Sequence, residues 1–202
     1  MKTLRTAERY DKTNCTLGRM KVAAPLIALL LLTPSLAMAQ VPAIGAQAPV
    51  FTLRTLSGRP VHMSHMLGGG PLVLIVLRGY PGYQCPFCQR QVHDFILHAR
   101  EFAERNAKVL LVYPGPTENL NERAKEFLAT ESQMPKNIVL VVDPNYAVTN
   151  LYGLRWDAPH ETAYPSTFIL DGSGRILFEK ISHSHGDRLS ADEALEHLHP
   201  GQ

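Results

Sequence analysis

Six consecutive aliphatic residues, Leu72 to Leu77, constrain this chain more than any other feature. Gly68-Gly69-Gly70-Pro71 breaks the chain before them, and Arg78 to Gln84, rich in Gly, Pro and Tyr, forms a loop after them. A run of this length without polar alternation reads as a central strand buried on both faces, so helices must cover it above and below. From Pro86 to about Asn106 the apolar positions Phe87, Val92, Phe95, Ile96, Ala99 and Phe102 recur at helical spacing. Where strand hands over to helix stands Cys85-Pro86-Phe87-Cys88.

That spacing and that place give a redox dithiol. A thiol reacts as the thiolate, and the unpaired N–H groups and positive dipole end of a helix favour the negative charge. A second cysteine across the first turn can close a small disulfide loop. Pro86, just inside the helix start, has no N–H to leave unpaired and its fixed φ suits the first turn. Half of a zinc site has the same spacing, but a zinc ribbon needs a second pair. The only other cysteine is Cys15, far upstream.

The remaining segments describe one α/β domain. Phe51 to Arg54 alternates as a short strand, and Ser57-Gly58-Arg59-Pro60 turns it back through Val61 as an N-terminal hairpin. Lys108 to Tyr113 is a second buried strand, stopped by Pro114-Gly115-Pro116, and Glu118 to Thr130 a helix. Ile138 to Val142 is a third strand, Asn145 to Tyr152 a short helix capped by Gly153, and Thr167 to Leu170 with Arg175 to Ile181 a hairpin. Ser190 to Leu198 closes as a helix. Strands alternating with helices and a final antiparallel hairpin predict a central mixed sheet with helices on both faces.

Of 202 residues 45% are hydrophobic and 19% charged, with a formal net charge of +2, so nothing calls for nucleic acid. Lys21, the apolar run Val22 to Leu32 and Ala37-Met38-Ala39 have the order of a secretory signal peptide, cleaved after Ala39. The run is too short for a comfortable transmembrane span, and residues 1–19 are polar enough for translation to begin at Met20. The expected division is therefore residues 1–39 as extension and signal, and 40–202 as the functional domain, exported to the periplasm or beyond. No membrane span is expected after cleavage, and the mature chain keeps only Cys85 and Cys88.

In this order, the strand, the loop, Cys-x-x-Cys and Pro165 before a late strand resemble the thioredoxin fold. More narrowly, the chain resembles the redoxin superfamily of alkyl hydroperoxide reductase and thiol-specific antioxidant proteins, with its peroxiredoxin-like members. The resemblance runs from Gly45 to Leu198. It is carried by Gly45-Ala46-Gln47-Ala48-Pro49-x-Phe51, Arg78-Gly79, the dithiol, and Ser166-Thr167-Phe168-Ile169-Leu170-Asp171-x-x-Gly174. It implies a cis bond before Pro165, supporting places for Pro81, Pro86 and Thr167, no cofactor and no metal. The implied partners are a hydroperoxide or protein disulfide and an external thiol reductant, either a thioredoxin-like protein or a membrane electron donor.

Two registers fit. Pro81-x-x-x-Cys85-x-x-Cys88 matches the peroxiredoxin Pro-x-x-x-Thr-x-x-Cys with Cys85 in place of the threonine, which makes Cys88 peroxidatic. In the thioredoxin register Cys85 attacks and Cys88 resolves, and helix geometry leaves Cys85 the more accessible. The arginine that peroxiredoxins place just before the Thr-Phe strand is absent; Arg78 and Arg155 are the candidates to replace it. A copper-holding protein without turnover is the alternative, with His183 and His185 supplying imidazole beside the thiolates.

Overall fold

The computed structural model describes residues 40–198; the expected signal segment, and the question of where translation starts, lie outside the described residues. A seven-stranded mixed sheet runs in the order β2-β1-β5-β4-β3-β6-β7. Its strands are β1 (Thr52–Arg54), β2 (Pro60–His62), β3 (Leu72–Val76), β4 (Lys108–Gly115), β5 (Ile138–Pro144), β6 (Ser166–Leu170) and β7 (Ile176–Ile181). β3, β4 and β5 are parallel, while β6 and β7 on one side and β1 and β2 on the other are antiparallel. The expected N-terminal hairpin is β1–β2, paired Leu53 to Val61.

The aliphatic run works as its composition demands. Val73, Ile75 and Leu77 face a core shared with α2 (Pro86–Leu97), α4 (Leu120–Leu128) and α6 (Ala191–Glu196). Leu72, Leu74 and Val76 face the opposite core, with α1 (Met63–Met66) and α5 (Ala147–Leu151). With a side-chain period of two, one strand serves two cores.

Apart from shifts of about two residues at element ends, the structure departs from the sequence reading at α2, β4 and α1. The long helix after the dithiol is two helices, α2 and α3 (Ala99–Glu104), separated at His98 with φ −95° and ψ 14°. There the imidazole Nδ1 lies 2.8 Å from the Asp94 carbonyl, a side-chain contact that competes with the helical ladder. β4 continues through Pro114 and Gly115, paired with Asp143 and Pro144. Proline lacks a donor, but the carbonyls of Pro114 and Gly115 still accept from Tyr80 and Asn145. α1 was not foreseen, being a single turn closed by a Leu67 N–H to Met63 carbonyl bond.

The bond before Pro165 is trans, since no peptide bond among the described residues is cis. The approach explains why a straight run suffices. Arg155 and Ala163 bridge antiparallel, and the Tyr164 N–H donates to the Leu154 carbonyl, so the chain is already extended when it reaches β6. The Pro165 carbonyl accepts from the Ser182 N–H at 2.8 Å, which fixes the start of the β6–β7 hairpin.

Candidate active site

Cys85 is the N-cap of α2 with extended backbone, and Pro86 takes the first helical position, as its lack of an N–H and its fixed φ allow. Cys88 follows one turn on and points into the core. Both thiols are free. Contrary to the expected accessibility of Cys85, its exposure is 1%, against 0% for Cys88. Pro86 is exposed, but Cys85 is closed off where the loop between β7 and α6 folds across it, with Gly186 lying against the Phe87 ring.

That loop carries the residue that sequence reasoning missed. Arg188 Nη2 lies 3.7 Å from Cys85 Sγ and 3.5 Å from Cys88 Sγ, so one guanidinium spans both sulfurs. Its Nε donates to the His185 carbonyl and its Nη1 to Gln91 Oε1, which hold the fork in place. Gln91 in turn donates to the Leu189 carbonyl, tying α2 to the same loop. The only hint in the sequence was that Arg188 follows two histidines in a polar loop; nothing there measures its distance from a helix about a hundred positions away.

The two sulfurs are driven apart electrostatically. The hydrogen bond that Cys88 donates, the Cys88 and Phe87 backbone N–H groups and the Arg188 charge overcome burial and lower the Cys85 thiol to about 5. Burial, and then the hydrogen bond to Cys85, raise the Cys88 thiol well above its ordinary value, with only Arg188 and the Arg78 backbone N–H opposing. A stable arrangement therefore has a thiolate at Cys85 and a thiol at Cys88. That is the ordering of a nucleophile and a held-back partner.

The two arginines expected near the sulfurs are otherwise engaged. The Arg78 guanidinium donates to Glu161 at 2.6 Å, to the Tyr83 hydroxyl at 2.7 Å and to the His160 carbonyl at 2.7 Å. Only its backbone serves the dithiol. Arg155 donates to the carbonyls of Trp156, Glu161 and Thr162 and lies over the Tyr146 ring, so it braces the segment before β6 instead of the sulfurs. Thr167 is buried in β6 opposite Ile75, and Pro81 stands partly exposed in the loop before α2.

Glu161 joins these parts. Its carboxylate takes Arg78 on one oxygen and His185 Nε2 on the other, at 2.9 Å. Burial works against its charge, but the bonds from Arg78 and His185 prevail and hold it below the usual carboxylate range. His185 also packs against Trp156, which stacks on Tyr164, and Tyr164 meets His183. The aromatic residues thus anchor the loop that bears Arg188. With His185 committed to Glu161 and no cluster of three or more His, Cys, Asp or Glu side chains among the described residues, the copper alternative lacks a third donor beside the sulfurs. No helix among the described residues is long and apolar enough to cross a membrane.

Residues 44–178 match the model of the AhpC/TSA family. No curated protein matches the chain. Among solved structures, peroxidoxin BcpB from Mycobacterium tuberculosis is similar at 24% identity and TM-score 0.61, over 78% of this chain and 96% of that one. A yeast mitochondrial 1-Cys peroxiredoxin is similar at 20% identity and TM-score 0.62, over 76% of this chain and 73% of that one. The mitochondrial 2-Cys peroxiredoxin of Plasmodium falciparum is similar at 16% identity and TM-score 0.60, over 77% and 92%. These structures share the fold, and the family match covers most of the chain: it belongs to the AhpC/TSA family, as a thiol-dependent oxidoreductase of thioredoxin fold.

Proposed function

We propose that the chain is an exported hydroperoxide reductase in which Cys85 attacks and Cys88 resolves. The observation that carries this reading is the Arg188 fork over a lowered, buried Cys85 thiol. A guanidinium beside the thiolate supplies what the family's missing arginine would, a positive charge for the sulfur and for the peroxide oxygens. A sulfur with 1% exposure admits a small oxidant far more readily than a disulfide on another protein. The exported location rests on the basic, apolar and small-residue order of residues 21–39.

The Cys85 thiolate attacks one peroxide oxygen; an S–O bond forms, the O–O bond breaks, and the alkoxide or hydroxide leaves and takes a proton. The sulfur, oxidised by two electrons, is now a sulfenic acid. Oxidation removes the negative charge at Cys85 that helped keep Cys88 protonated, so Cys88 loses its proton more easily. Its thiolate then attacks the Cys85 sulfur and expels hydroxide, which leaves as water. The product is the Cys85–Cys88 disulfide, and an external reductant restores the dithiol.

The test is the rate of thiol loss when reduced protein meets hydrogen peroxide anaerobically. Oxidation far faster than that of a free thiol of equal pKa is expected. Oxidation at the free-thiol rate would overturn the peroxide assignment and turn attention to protein disulfides.

A further inference from the structure

Beside the dithiol, between the first turns of α2 and the loop before α6, lies a cavity of about 290 Å³. Phe87, Arg90, Gln91, Arg188 and Leu189 form its working walls. Arg90 is exposed, its guanidinium resting 4.6 Å from the centre of the Phe87 ring. Among the described residues it has no carboxylate within ion-pair distance, and neither has Arg188. The one carboxylate on the wall, Asp94, is already committed. Its Oδ2 accepts from the Ala191 N–H at 2.7 Å, and its Oδ1 lies 3.3 Å from His98 Nδ1. Arg90, a cation without an anionic partner, thus shares a small cavity with Arg188, whose only anionic partner is the Cys85 thiolate of the reduced protein.

We infer that this cavity is the docking site of the reductant, and that the reductant is a small thiol bearing a carboxylate. The inference rests on the proposed disulfide cycle. A volume of about 290 Å³ accommodates a molecule of a few residues at most. The carboxylate pairs with Arg90, and the planar fork gives that pairing its geometry. In the oxidised protein Cys85 carries no charge, so the hold of Arg188 on the sulfurs is weaker and the arriving anion can draw its guanidinium aside. The ligand thiolate then attacks the Cys85 sulfur, at the N-cap of α2. A Cys85–ligand disulfide forms, the Cys85–Cys88 bond breaks, and Cys88 leaves as a thiolate that the Arg78 N–H meets before it takes a proton. A second ligand thiolate attacks the ligand sulfur of the mixed disulfide and releases the Cys85 thiolate. Two thiols are oxidised to one disulfide and the enzyme disulfide is reduced to the dithiol, so electrons and atoms balance.

The experiment installs the intramolecular disulfide with diamide, so the natural oxidant does not enter. Its reduction is then timed with 3-mercaptopropionate and with the neutral 3-mercaptopropionamide, each rate expressed per thiolate. The expected result is a carboxylate-to-amide ratio above one that falls about fivefold in Arg90→Gln and declines with salt, as a charge pairing at the surface must. A ratio near or below one, or a ratio that Arg90→Gln leaves unchanged, overturns the inference. Arg90 is exposed, so the variant folds. Failure of diamide to form the Cys85–Cys88 disulfide at all would instead overturn the disulfide cycle, so the two failures are separable.

Discussion

Arg188 reaches Cys85 across 103 positions of sequence, its Nη2 standing 3.7 Å from the sulfur. The contact places a fixed positive charge on a thiol that already accepts a hydrogen bond from Cys88. Loss of the guanidinium therefore raises the Cys85 titration midpoint. Reduced protein followed by ultraviolet absorbance of the thiolate is expected to show a midpoint near 5. Arg188→Met moves it up by about one unit and slows peroxide oxidation about tenfold or more. A midpoint that Arg188→Met leaves in place would mean that the guanidinium is packing only.

The proposed cycle gives Cys85 and Cys88 separable roles. With Cys88→Ser, hydrogen peroxide leaves a sulfenic acid on Cys85 that dimedone labels and mass spectrometry locates. With Cys85→Ser the remaining buried thiol, held well above its ordinary pKa, reacts slowly and gains no label on the same timescale. Label on Cys88 in the second variant would restore the other register, in which Cys88 attacks.

The lowered Cys85 thiol also links pH to the stability of the reduced protein. Its ordinary value is 9.0 and its folded value about 5, so across that window the unfolded chain binds the proton and the folded one does not. This contribution is complete above the ordinary value, and it is lost as pH falls through the folded one. Urea midpoints of reduced parent protein should rise with pH relative to Cys85→Ser between those limits. Parallel curves for the two proteins would refute the linkage.

Gly79 connects the active-site loop to the sheet. Its φ is +73°, and a Cβ built there would stand 1.9 Å from the Pro114 carbonyl oxygen. That oxygen accepts the Tyr80 N–H at 3.2 Å, so it cannot withdraw without loosening the loop. Gly79→Ala is expected to cost about 2 kcal/mol or more, from the left-handed backbone and the clash together, read as a lower urea midpoint. An unchanged midpoint would show that β4 yields at its end.

The sheet and the dithiol were legible because they are written locally. Leu72 to Leu77 identifies its strand by composition alone, and Cys85-Pro86-Phe87-Cys88 identifies a helix start by spacing. Arg188 was not legible, because no local pattern says that a polar loop closes over a helix start in another part of the chain. Arg78 looked suitable from its place after β3, but the guanidinium was already taken by Glu161, a contact between positions 83 apart. The extended approach to Pro165 rests on the bridge of Arg155 with Ala163, a pairing eight positions apart that no motif in the segment marks. The break at His98 arose from a side chain reaching the Asp94 carbonyl, which apolar periodicity does not register.

The charge that conditions the dithiol hangs from a surface loop between β7 and α6, not from a strand of the sheet. Loops accept insertion, deletion and exchange while the sheet beneath them stays intact. A change in that one turn can therefore remove or relocate the guanidinium, and with it the charge beside the sulfurs, while the pairing of the seven strands stays as it is.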